Sequence, residues 1–369
     1  MFPNNTSVWR YFDLWLLAAV LLLTTYGIVM IRSAITGAPE FEGYELRQLV
    51  FASTGVVALF IIAAIDYRIL TSSHWFIYIA FLGTLIFILI AGTLGNSAQR
   101  WIVIAPGLNF QPTELGRIFF AITFGAFLAQ RQQYIHRFSN TLLAIVYLGV
   151  PVLFIFLQPD LGMSILFSFI WFIMLVMAGL PMTHVAVLAV VGLAAVSVAL
   201  PFLQDYQLAR LAIFVDPASD PEQQFNINQA LISIGSGGWF GKGYFQGTQS
   251  QLGFLRVQHT DFIFSMITEE MGFFFGSLVV LLLIGFILVR ILRVAAITPD
   301  PAGRLICVGI AAFLFFQTTV SVGMNVQVVP VTGLTLPFVS YGGSALVTLF
   351  IGIGVVQSIL MRHRKQEFG

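Results

Sequence analysis

The sequence Gln258-His-Thr-Asp-Phe-Ile-Phe-Ser-Met-Ile-Thr-Glu-Glu-Met-Gly272 carries the chain from a long polar loop into an apolar helix. It places one acid, Asp261, at that junction and two more, Glu269 and Glu270, within the helix. Carboxylates inside an apolar membrane helix are costly and are kept where they serve a function. This stretch therefore indicates both a membrane-spanning fold and the position of its chemistry.

The composition around this stretch is that of a membrane protein. Hydrophobic residues make up 58% of the chain and charged residues 9%, against roughly 25% charged residues in a soluble domain. A net charge of +1 offers no basic field for nucleic acid. The single cysteine, Cys307, excludes an internal disulfide and a Cys-based metal site, and no His/Cys spacing indicates zinc.

A spanning helix needs about 20 mostly apolar residues, and about ten stretches qualify. The sequence therefore predicts an all-α integral membrane protein, a polytopic bundle of about ten transmembrane helices that forms a single domain over residues 1–369. A long extracytoplasmic loop, 204–260, joins helices seven and eight. The predicted helices lie near 11–31, 47–66, 74–92, 113–130, 138–158, 160–179, 182–203, 261–290, 304–326 and 343–361.

Orientation follows from the arginines and lysines of the short loops, which concentrate on the cytoplasmic side. The loops on one side carry only Arg32, Arg47, Arg100 and Arg117. The loops on the other side carry ten basic residues: Arg10, Arg68, Arg131, Arg137, Arg290, Arg293, Arg304, Arg362, Arg364 and Lys365. Both termini are therefore predicted to be cytoplasmic. The even-numbered helices then begin at the outer face.

Polar residues collect where those even-numbered helices begin. They are Glu45 and Arg47, Gln111 to Arg117, Gln158 to Asp160, Asp261, and Ser340 to Ser344. Helix N-termini that face one side favour an anion between them. The loop 204–260 is too long to be a passive connector. Its segment 230–247 mixes glycines with large apolar residues, which predicts a segment on the membrane surface close to a ligand.

Seven ordered motifs between residues 45 and 350 resemble the SEDS family (shape, elongation, division and sporulation), and its elongation members more than its division members. The motifs are Arg100-Trp101, Gln111-Pro-Thr-Glu114, Gln158-Pro-Asp-Leu-Gly162, Ile234-Gly-Ser-Gly-Gly-Trp-Phe-Gly241, His259-Thr-Asp-Phe-Ile-Phe264, Glu269-Glu270 and Pro337-Phe-Val-Ser-Tyr-Gly-Gly-Ser344. Two positions depart from the usual family pattern. Arg117 replaces a lysine and keeps the charge, whereas Arg256-Val257 replaces Pro-Glu and alters the loop before Asp261.

The resemblance implies a peptidoglycan glycosyltransferase that polymerises lipid II on the outer face of the bacterial cytoplasmic membrane. It also implies two kinds of partner, a class B penicillin-binding protein that cross-links the strands and other membrane proteins of the elongation complex. The family's essential carboxylate corresponds to Asp261.

This reaction sets the residue types that the site needs. A sugar hydroxyl attacks an anomeric carbon and expels a lipid diphosphate, so a general base is required, and Asp261 is the candidate. The diphosphate needs cations, for which the candidates are Arg47, Arg100, Arg117, Arg210 and Lys242. A divalent cation, Mg²⁺ or Mn²⁺, is the alternative, held by Asp160 or Glu114. Backbone N–H groups of Ser340, Tyr341, Gly342 and Gly343 could bind phosphate. No organic cofactor is expected.

Structural interpretations compete with several of these roles. Asp261 could simply begin a helix, where acids are favoured. Glu114 and Arg117 share a helix face and could neutralise each other. Arg117→Lys should be nearly silent, and a large loss of activity would show that the guanidinium fork matters. Asp160 has the same ambiguity, and the 340–344 turn could be a plain loop-to-helix junction. Glu269 should lie about 12 Å deeper than Asp261, as a structural group.

Two other functions use the same residues. A lipid II flippase would explain intramembrane charges, but a carrier should gather its polar groups near the bilayer midplane. Here they gather at one face, apart from Glu269 and Glu270, which favours surface chemistry on a lipid-linked substrate. A scaffold that only activates a penicillin-binding partner would leave the outward acids without a role.

Overall fold

The computed structural model describes residues 8–37, 39–91, 93–95, 98–105, 108–216 and 220–363. Within these ranges the chain forms fifteen α-helices and three short strands. They are α1 (Leu14–Ala34), α2 (Tyr44–Ala64), α3 (Tyr67–Ser72), α4 (His74–Ala91), β1 (Thr93–Gly95), β2 (Ala98–Ala105), β3 (Leu108–Phe110), α5 (Pro112–Arg131), α6 (Phe138–Leu157), α7 (Leu161–Met177), α8 (Met182–Ala199), α9 (Asp205–Val215), α10 (Pro221–Gly237), α11 (Thr248–Gln251), α12 (Ile263–Gly272), α13 (Val279–Ile297), α14 (Pro301–Asn325) and α15 (Gly343–Arg362).

The ten predicted spans are all present as helices in the described part of the chain. Seven helical segments are long and apolar enough to cross a membrane, and α4 and α7 are shorter apolar helices. The tenth is α5, whose hydropathy is reduced by Glu114 and Arg117 near its start. The prediction of a bundle of about ten membrane helices is thereby confirmed.

Helices α14 and α15 form the centre of the bundle, and 78% of an apolar 18-residue stretch of each is buried. Close approach to α15 depends on a glycine, because a Cβ on Gly354 would lie 2.8 Å from the Leu59 carbonyl oxygen of α2. The start of α1 is also tied to α15. Asp13 N–H donates to Gln357 Oε1, and Gln357 Nε2 donates to the Asp13 carbonyl, each at 2.9 Å.

The alternation of the spans defines two ends of the bundle. At the loop end, α1, α4, α6, α8 and α14 finish, α2, α5, α7 and α15 begin, and the 204–260 segment is attached. At the opposite, terminal end, α1 begins and α15 finishes. The polar residues that were expected to collect at one face lie at the loop end.

The 204–260 loop is largely helical and packs into the protein. Its helix α10 lies against α12 so closely that a Cβ on Gly237 would overlap the Thr268 carbonyl oxygen. Beyond α10, Lys242 N–H donates to the Glu269 carbonyl at 3.0 Å. Some side chains of this segment are nevertheless exposed, such as those of Trp239 and Phe240, at 62% and 70%.

Helix α12 crosses the loop end, so the prediction that Glu269 lies deeper than Asp261 is wrong. Near its start, Ser265 is bonded to Asn325 at the loop end of α14. Near its finish, Glu270 is bonded to Ser33 at the loop end of α1. The helix breaks at Gly272, where φ is +72°. A π-helical turn, Phe273–Leu278, then leads into α13.

A small antiparallel sheet between α4 and α5 was not predicted. Its order is β1-β2-β3, and the β2 register pairs Trp101 with Thr93 and Ile102 with Phe110. The sheet lies at the loop end, because it follows the finish of α4 and precedes the start of α5.

Candidate functional site

Asp261 lines a cavity of about 150 Å³ at the loop end. Three other polar residues line the same cavity: Arg210 from α9, Asn226 from α10 and Gln327, which follows α14. The rest of the lining is mainly apolar and includes Phe262. A concave, mostly apolar site with a few convergent polar groups is the usual form of a small-molecule binding site.

The backbone on either side of Asp261 is fixed by hydrogen bonds from α14 and from the turn before α15. The carbonyls of residues 259–261 each accept a hydrogen bond. The His259 carbonyl accepts from Tyr341 N–H at 2.9 Å, and the Thr260 carbonyl accepts from Ser340 Oγ at 2.7 Å. The Asp261 carbonyl accepts from Asn325 Nδ2 at 2.8 Å. These donors belong to elements that lie far from the motif in sequence. The position of the Asp261 backbone is therefore set by tertiary structure rather than by its own loop.

The surroundings of Asp261 suit a general base. Burial raises the pKa of the carboxyl above its ordinary value, and the positive charge of Arg210 opposes that shift. The residue still keeps part of its surface open to the cavity. A base whose pKa lies nearer to the working pH transfers protons more effectively.

Arg210 connects Asp261 to a second polar region. A smaller cavity of about 80 Å³ is lined by Asp160, Gln207 and Tyr206, and it shares Arg210 with the first cavity. The Arg210 guanidinium lies over the Tyr206 ring at 5.8 Å and donates from Nη1 to the Val331 carbonyl at 3.3 Å. Two carboxylates and one guanidinium are thereby grouped at the loop end.

Asp160 is held in place at the start of α7. Its Oδ1 accepts from Met163 N–H at 3.1 Å, which caps the helix, and its Oδ2 accepts from Gln111 Nε2 at 3.1 Å. Capping gives this residue a structural role. Because Asp160 also lines the second cavity, the two roles are compatible.

Glu114 and Arg117 form a buried ion pair, with Arg117 Nη2 at 2.5 Å from Glu114 Oε2. The guanidinium also donates from Nη1 to Gln317 Oε1 at 2.6 Å and lies over the Phe313 ring at 5.0 Å. Arg117 is fully buried, and neither member of the pair lines the two cavities described above. The geometry favours mutual neutralisation over substrate contact for both residues.

Three of the four backbone donors in the 340–343 turn are already used, which counts against the phosphate-binding role predicted for Ser340, Tyr341 and Gly342. The N–H groups of Ser340, Tyr341 and Gly342 donate to Leu336 O, His259 O and Gln48 Oε1, at 3.0, 2.9 and 3.2 Å. Gly343 serves close packing, since a Cβ there would lie 2.6 Å from the Phe51 ring. The turn instead anchors the backbone beside Asp261.

Two predicted cations, Lys242 and Arg47, stand apart from the Asp261 cavity. Lys242 is bonded to Glu269 Oε1 at 2.9 Å and to Thr248 Oγ1 at 2.6 Å. Arg47 lies over the Tyr44 ring at 5.4 Å. Arg100 belongs to strand β2, but its side chain lies outside what the structure describes. Among the predicted cations whose side chains the structure describes, Arg210 is the one that lines the cavity with Asp261.

Glu269 and Glu270 attach the 238–258 segment to the bundle. Glu269 accepts from the N–H groups of Gln249 and Ser250 at 2.9 and 3.1 Å. Glu270 accepts from Ser33 Oγ at 2.7 Å and from Gln251 Nε2 at 3.1 Å. These contacts agree with the structural role expected for Glu269.

The described residues contain no group of three or more His, Cys, Asp or Glu side chains arranged to hold a metal ion. Glu114 does not fit as a metal ligand because Arg117 already occupies its carboxylate. Asp160 fits better, since it lines a cavity and Mg²⁺ is often bound by one or two carboxylates together with substrate phosphates.

Several polar residues of the site were missed by sequence reasoning. Asn226 is one of several amides on α10, and nothing in the sequence distinguishes it from its neighbours. Asn325 ends a long apolar helix and Gln327 follows it, and a pair of amides at that junction was a usable signal. Gln111 was noted only as part of a motif.

The chain is similar to known proteins over nearly its whole length. Residues 13–365 match the FtsW/RodA/SpoVE family, described as "Cell cycle protein". Peptidoglycan glycosyltransferase MrdB of Escherichia coli K12 is 35% identical over 367 residues, 98% of this chain and 97% of that protein. Stage V sporulation protein E of Bacillus subtilis is 33% identical, over 94% of this chain and 96% of that protein.

Solved structures agree with this relationship. One chain of a structure described as "Structural coordination of polymerization and crosslinking by a peptidoglycan synthase complex" has a TM-score of 0.81 and 31% identity, covering 97% of this chain and 99% of that chain. The Thermus thermophilus rod shape determining protein RodA has a TM-score of 0.72 and 29% identity, covering 95% and 97%. The chain therefore belongs to the FtsW/RodA/SpoVE family, which is the SEDS family that its motifs resemble.

Proposed function

We propose that this protein is a peptidoglycan glycosyltransferase that polymerises lipid II into glycan strands during cell elongation. The observation that carries the proposal is the cavity at the loop end in which Asp261 and Arg210 lie together. The relatives support it, because the E. coli protein that resembles this chain over its whole length carries the name peptidoglycan glycosyltransferase.

In this mechanism Asp261 is the general base. Its carboxylate accepts the proton of the attacking sugar hydroxyl while the hydroxyl oxygen bonds to the anomeric carbon of the second sugar. The bond from that carbon to the phosphate oxygen breaks, and the lipid diphosphate leaves with the bonding electrons, so the anomeric configuration inverts. Arg210 lines both the Asp261 cavity and the Asp160 cavity. A diphosphate bound between these two cavities would be neutralised by its guanidinium.

The proposal includes a divalent cation, Mg²⁺ or Mn²⁺, held by Asp160 and by the substrate's own phosphates. Such an ion would supply positive charge to the departing diphosphate. Asp160 offers a fixed carboxylate for it, since Met163 and Gln111 hold both of its oxygens in place. Treatment with a chelator should then lower the polymerisation rate, and added Mg²⁺ or Mn²⁺ should restore it.

The proposed partner is a class B penicillin-binding protein, together with other membrane proteins of the elongation complex. Support comes from the similarity to a chain of a peptidoglycan synthase complex. The proposed location is the bacterial cytoplasmic membrane, with both termini cytoplasmic and the loop end outside. The positive-inside rule supports this orientation, because four arginines lie at the terminal end of the bundle: Arg68, Arg131, Arg293 and Arg304.

The test is glycan-strand synthesis from purified lipid II by the wild-type protein, reconstituted in liposomes with a cognate class B penicillin-binding protein. The proposal predicts polymer. If no polymer formed while labelled lipid II crossed the bilayer, the transferase would be excluded and the flippase supported.

A further inference from the structure

A polar cleft at the terminal end of the bundle lies between the start of α1, the last turns of α13 and the finish of α15. Its volume is about 240 Å³, and its polar lining consists of Tyr11, Asp13, Arg290, Arg293 and His363. The Asp261 cavity lies at the opposite end of the bundle, so this cleft is separate from the proposed reaction. Its charged groups therefore need an explanation of their own.

Arg290 is fixed at one wall of the cleft by Asp13. Its Nε donates to Asp13 Oδ2 at 2.7 Å, and its Nη2 lies 2.5 Å from the same oxygen. These contacts use two of the five N–H groups of the guanidinium, and no other described residue accepts from Arg290. The side chain keeps 22% of its surface exposed. A guanidinium that is held in place and has spare donors is well suited to bind an oxyanion.

Arg293 gives the cleft its excess of positive charge. It lies three residues after Arg290, on the same side of α13, and it is exposed. Asp13 balances Arg290, whereas no carboxylate in the described part of the chain is paired with Arg293. Two guanidinium groups and one carboxylate leave the cleft with a net charge of +1 before His363 is counted. The cleft therefore favours an anion.

An exposed apolar stripe on α13 leads to Arg293. Leu282, Phe286 and Val289 precede it at intervals of four, three and four residues, which is the spacing of one helix face, and all three are exposed. At 1.5 Å per residue, the stripe from Leu282 to Arg293 is about 16 Å long. Half of the hydrocarbon core of a bilayer is about 15 Å thick. The stripe therefore has the length of one acyl chain in the leaflet at the terminal end.

We propose that this cleft binds the phosphate group of an anionic phospholipid, with one acyl chain along the stripe on α13. Arg293 and the spare N–H groups of Arg290 donate to the phosphate oxygens. Ile297, an exposed apolar residue of the lining, contacts the glycerol part of the lipid. A basic pocket between membrane helices is a recognised form of binding site for anionic lipid headgroups. The bound lipid joins α1, α13 and α15 at the terminal end.

Charge and apolar surface together favour this ligand over its alternatives. A soluble phosphate would use the two arginines but would leave the stripe uncovered. A zwitterionic lipid would bring a second cation to a cleft that already has an excess of positive charge. Arginines at one end of a membrane protein also follow from topology alone. The proposal therefore requires one lipid bound at this cleft rather than a diffuse layer around the terminal end.

The experiment measures lipid binding to the purified full-length protein by native mass spectrometry and compares Arg293→Gln with Arg137→Gln. Arg137 is the matched control, because it is also an exposed arginine at the terminal end but does not line the cleft. The wild type should bind one dioleoylphosphatidylglycerol more tightly than any dioleoylphosphatidylcholine. Arg293→Gln should weaken this binding by about 5-fold, the effect of one arginine beside an anionic lipid. Arg137→Gln should leave it unchanged.

Thermal unfolding in detergent gives a second readout. A ligand that binds only the folded protein raises the melting temperature. Dioleoylphosphatidylglycerol should therefore stabilise the wild type and Arg137→Gln more than it stabilises Arg293→Gln. Without added lipid the three proteins should melt at the same temperature, because Arg293 is exposed and has no carboxylate partner among the described residues. An excess of inorganic phosphate should neither displace the lipid nor raise the melting temperature.

The inference is overturned if Arg137→Gln weakens phosphatidylglycerol binding as much as Arg293→Gln does, because the charge would then act diffusely. Equal binding of phosphatidylcholine and phosphatidylglycerol by the wild type would also overturn it. Displacement of the lipid by inorganic phosphate would show a site for soluble anions instead of a lipid site.

Discussion

The amide of Asn325 should be needed both for folding stability and for the position of Asp261. It is fully buried, and its two ends make four hydrogen bonds. Nδ2 donates to the Asp261 carbonyl at 2.8 Å and to the Ser321 carbonyl at 2.7 Å. Oδ1 accepts from Ser265 N–H at 3.1 Å and from Ser265 Oγ at 2.6 Å. Ser265 is in the first turn of α12, where N–H groups lack partners within the helix.

Truncation to Ala leaves at least two buried backbone groups unpaired, Ser265 N–H and the Asp261 carbonyl. Each costs about 1–3 kcal/mol, so Asn325→Ala should lower the free energy of unfolding by about 2–6 kcal/mol. Asn325→Asp keeps the acceptor for Ser265 but loses the donor to the Asp261 and Ser321 carbonyls, and it places a buried carboxyl oxygen against both of them, so it should also be destabilising. A displacement of the base by about 1 Å can cost 10²-fold in rate. The polymerisation rate of the folded Asn325→Asp protein should therefore also fall.

Thermal unfolding in detergent and lipid II polymerisation should be measured for both variants. Asn140→Ala is the matched control, since this amide also donates to a backbone carbonyl, that of Tyr134, at 2.7 Å, but lies at the terminal end. If Asn325→Ala had the polymerisation rate and the melting temperature of the wild type, the reasoning about how Asp261 is positioned would be refuted.

Three further predictions concern buried groups. Arg117→Lys should lower the free energy of unfolding by roughly 1–3 kcal/mol, because one ammonium cannot replace a guanidinium that contacts Glu114, Gln317 and a ring; an unchanged melting temperature would contradict this. Gly237→Ala should destabilise the protein by about 1–3 kcal/mol, whereas Gly235→Ala, with open space around it, should be neutral or stabilising in the same melting assay. Burial lowers the pKa of His259 from its ordinary 6.5 to about 4, so the unfolded chain takes up a proton first as pH falls. The contribution of His259 to the free energy of unfolding should be complete above pH 6.5 and should fall by up to about 1.4 kcal/mol per pH unit toward pH 4. Thermal unfolding of the wild type and of His259→Phe across this pH range should show a shallower slope for the variant.

The membrane fold could be predicted from sequence because hydropathy over a whole span is a strong signal. Even α5, which carries Glu114 and Arg117, was recognisable from its apolar remainder. The helices of the 204–260 segment were not predicted, because tertiary contacts stabilise them: α10 packs on α12, and α9 is bonded to the Pro159 and Val331 carbonyls. The small sheet before α5 was missed for a similar reason, since strands of three to eight residues give little periodicity.

The site could be predicted only in part. Asp261 was identifiable because its motif and its position at a helix start are local features. The choice among five cations was not possible, since each lay in a polar segment and only tertiary structure brings Arg210 to the Asp261 cavity. The 340–343 turn had the composition of an anion site, but two of its N–H groups donate to partners that are distant in sequence, His259 and Gln48.

The central claim is that Asp261 is the base of a glycan polymerase, and the most direct test is Asp261→Asn in the lipid II polymerisation assay. The change removes the base but keeps the shape of the side chain. Polymer formation should fall by about 10²- to 10⁴-fold, while lipid II binding, melting temperature and association with the penicillin-binding partner stay close to those of the wild type. Polymerisation by Asp261→Asn at the wild-type rate would contradict the account.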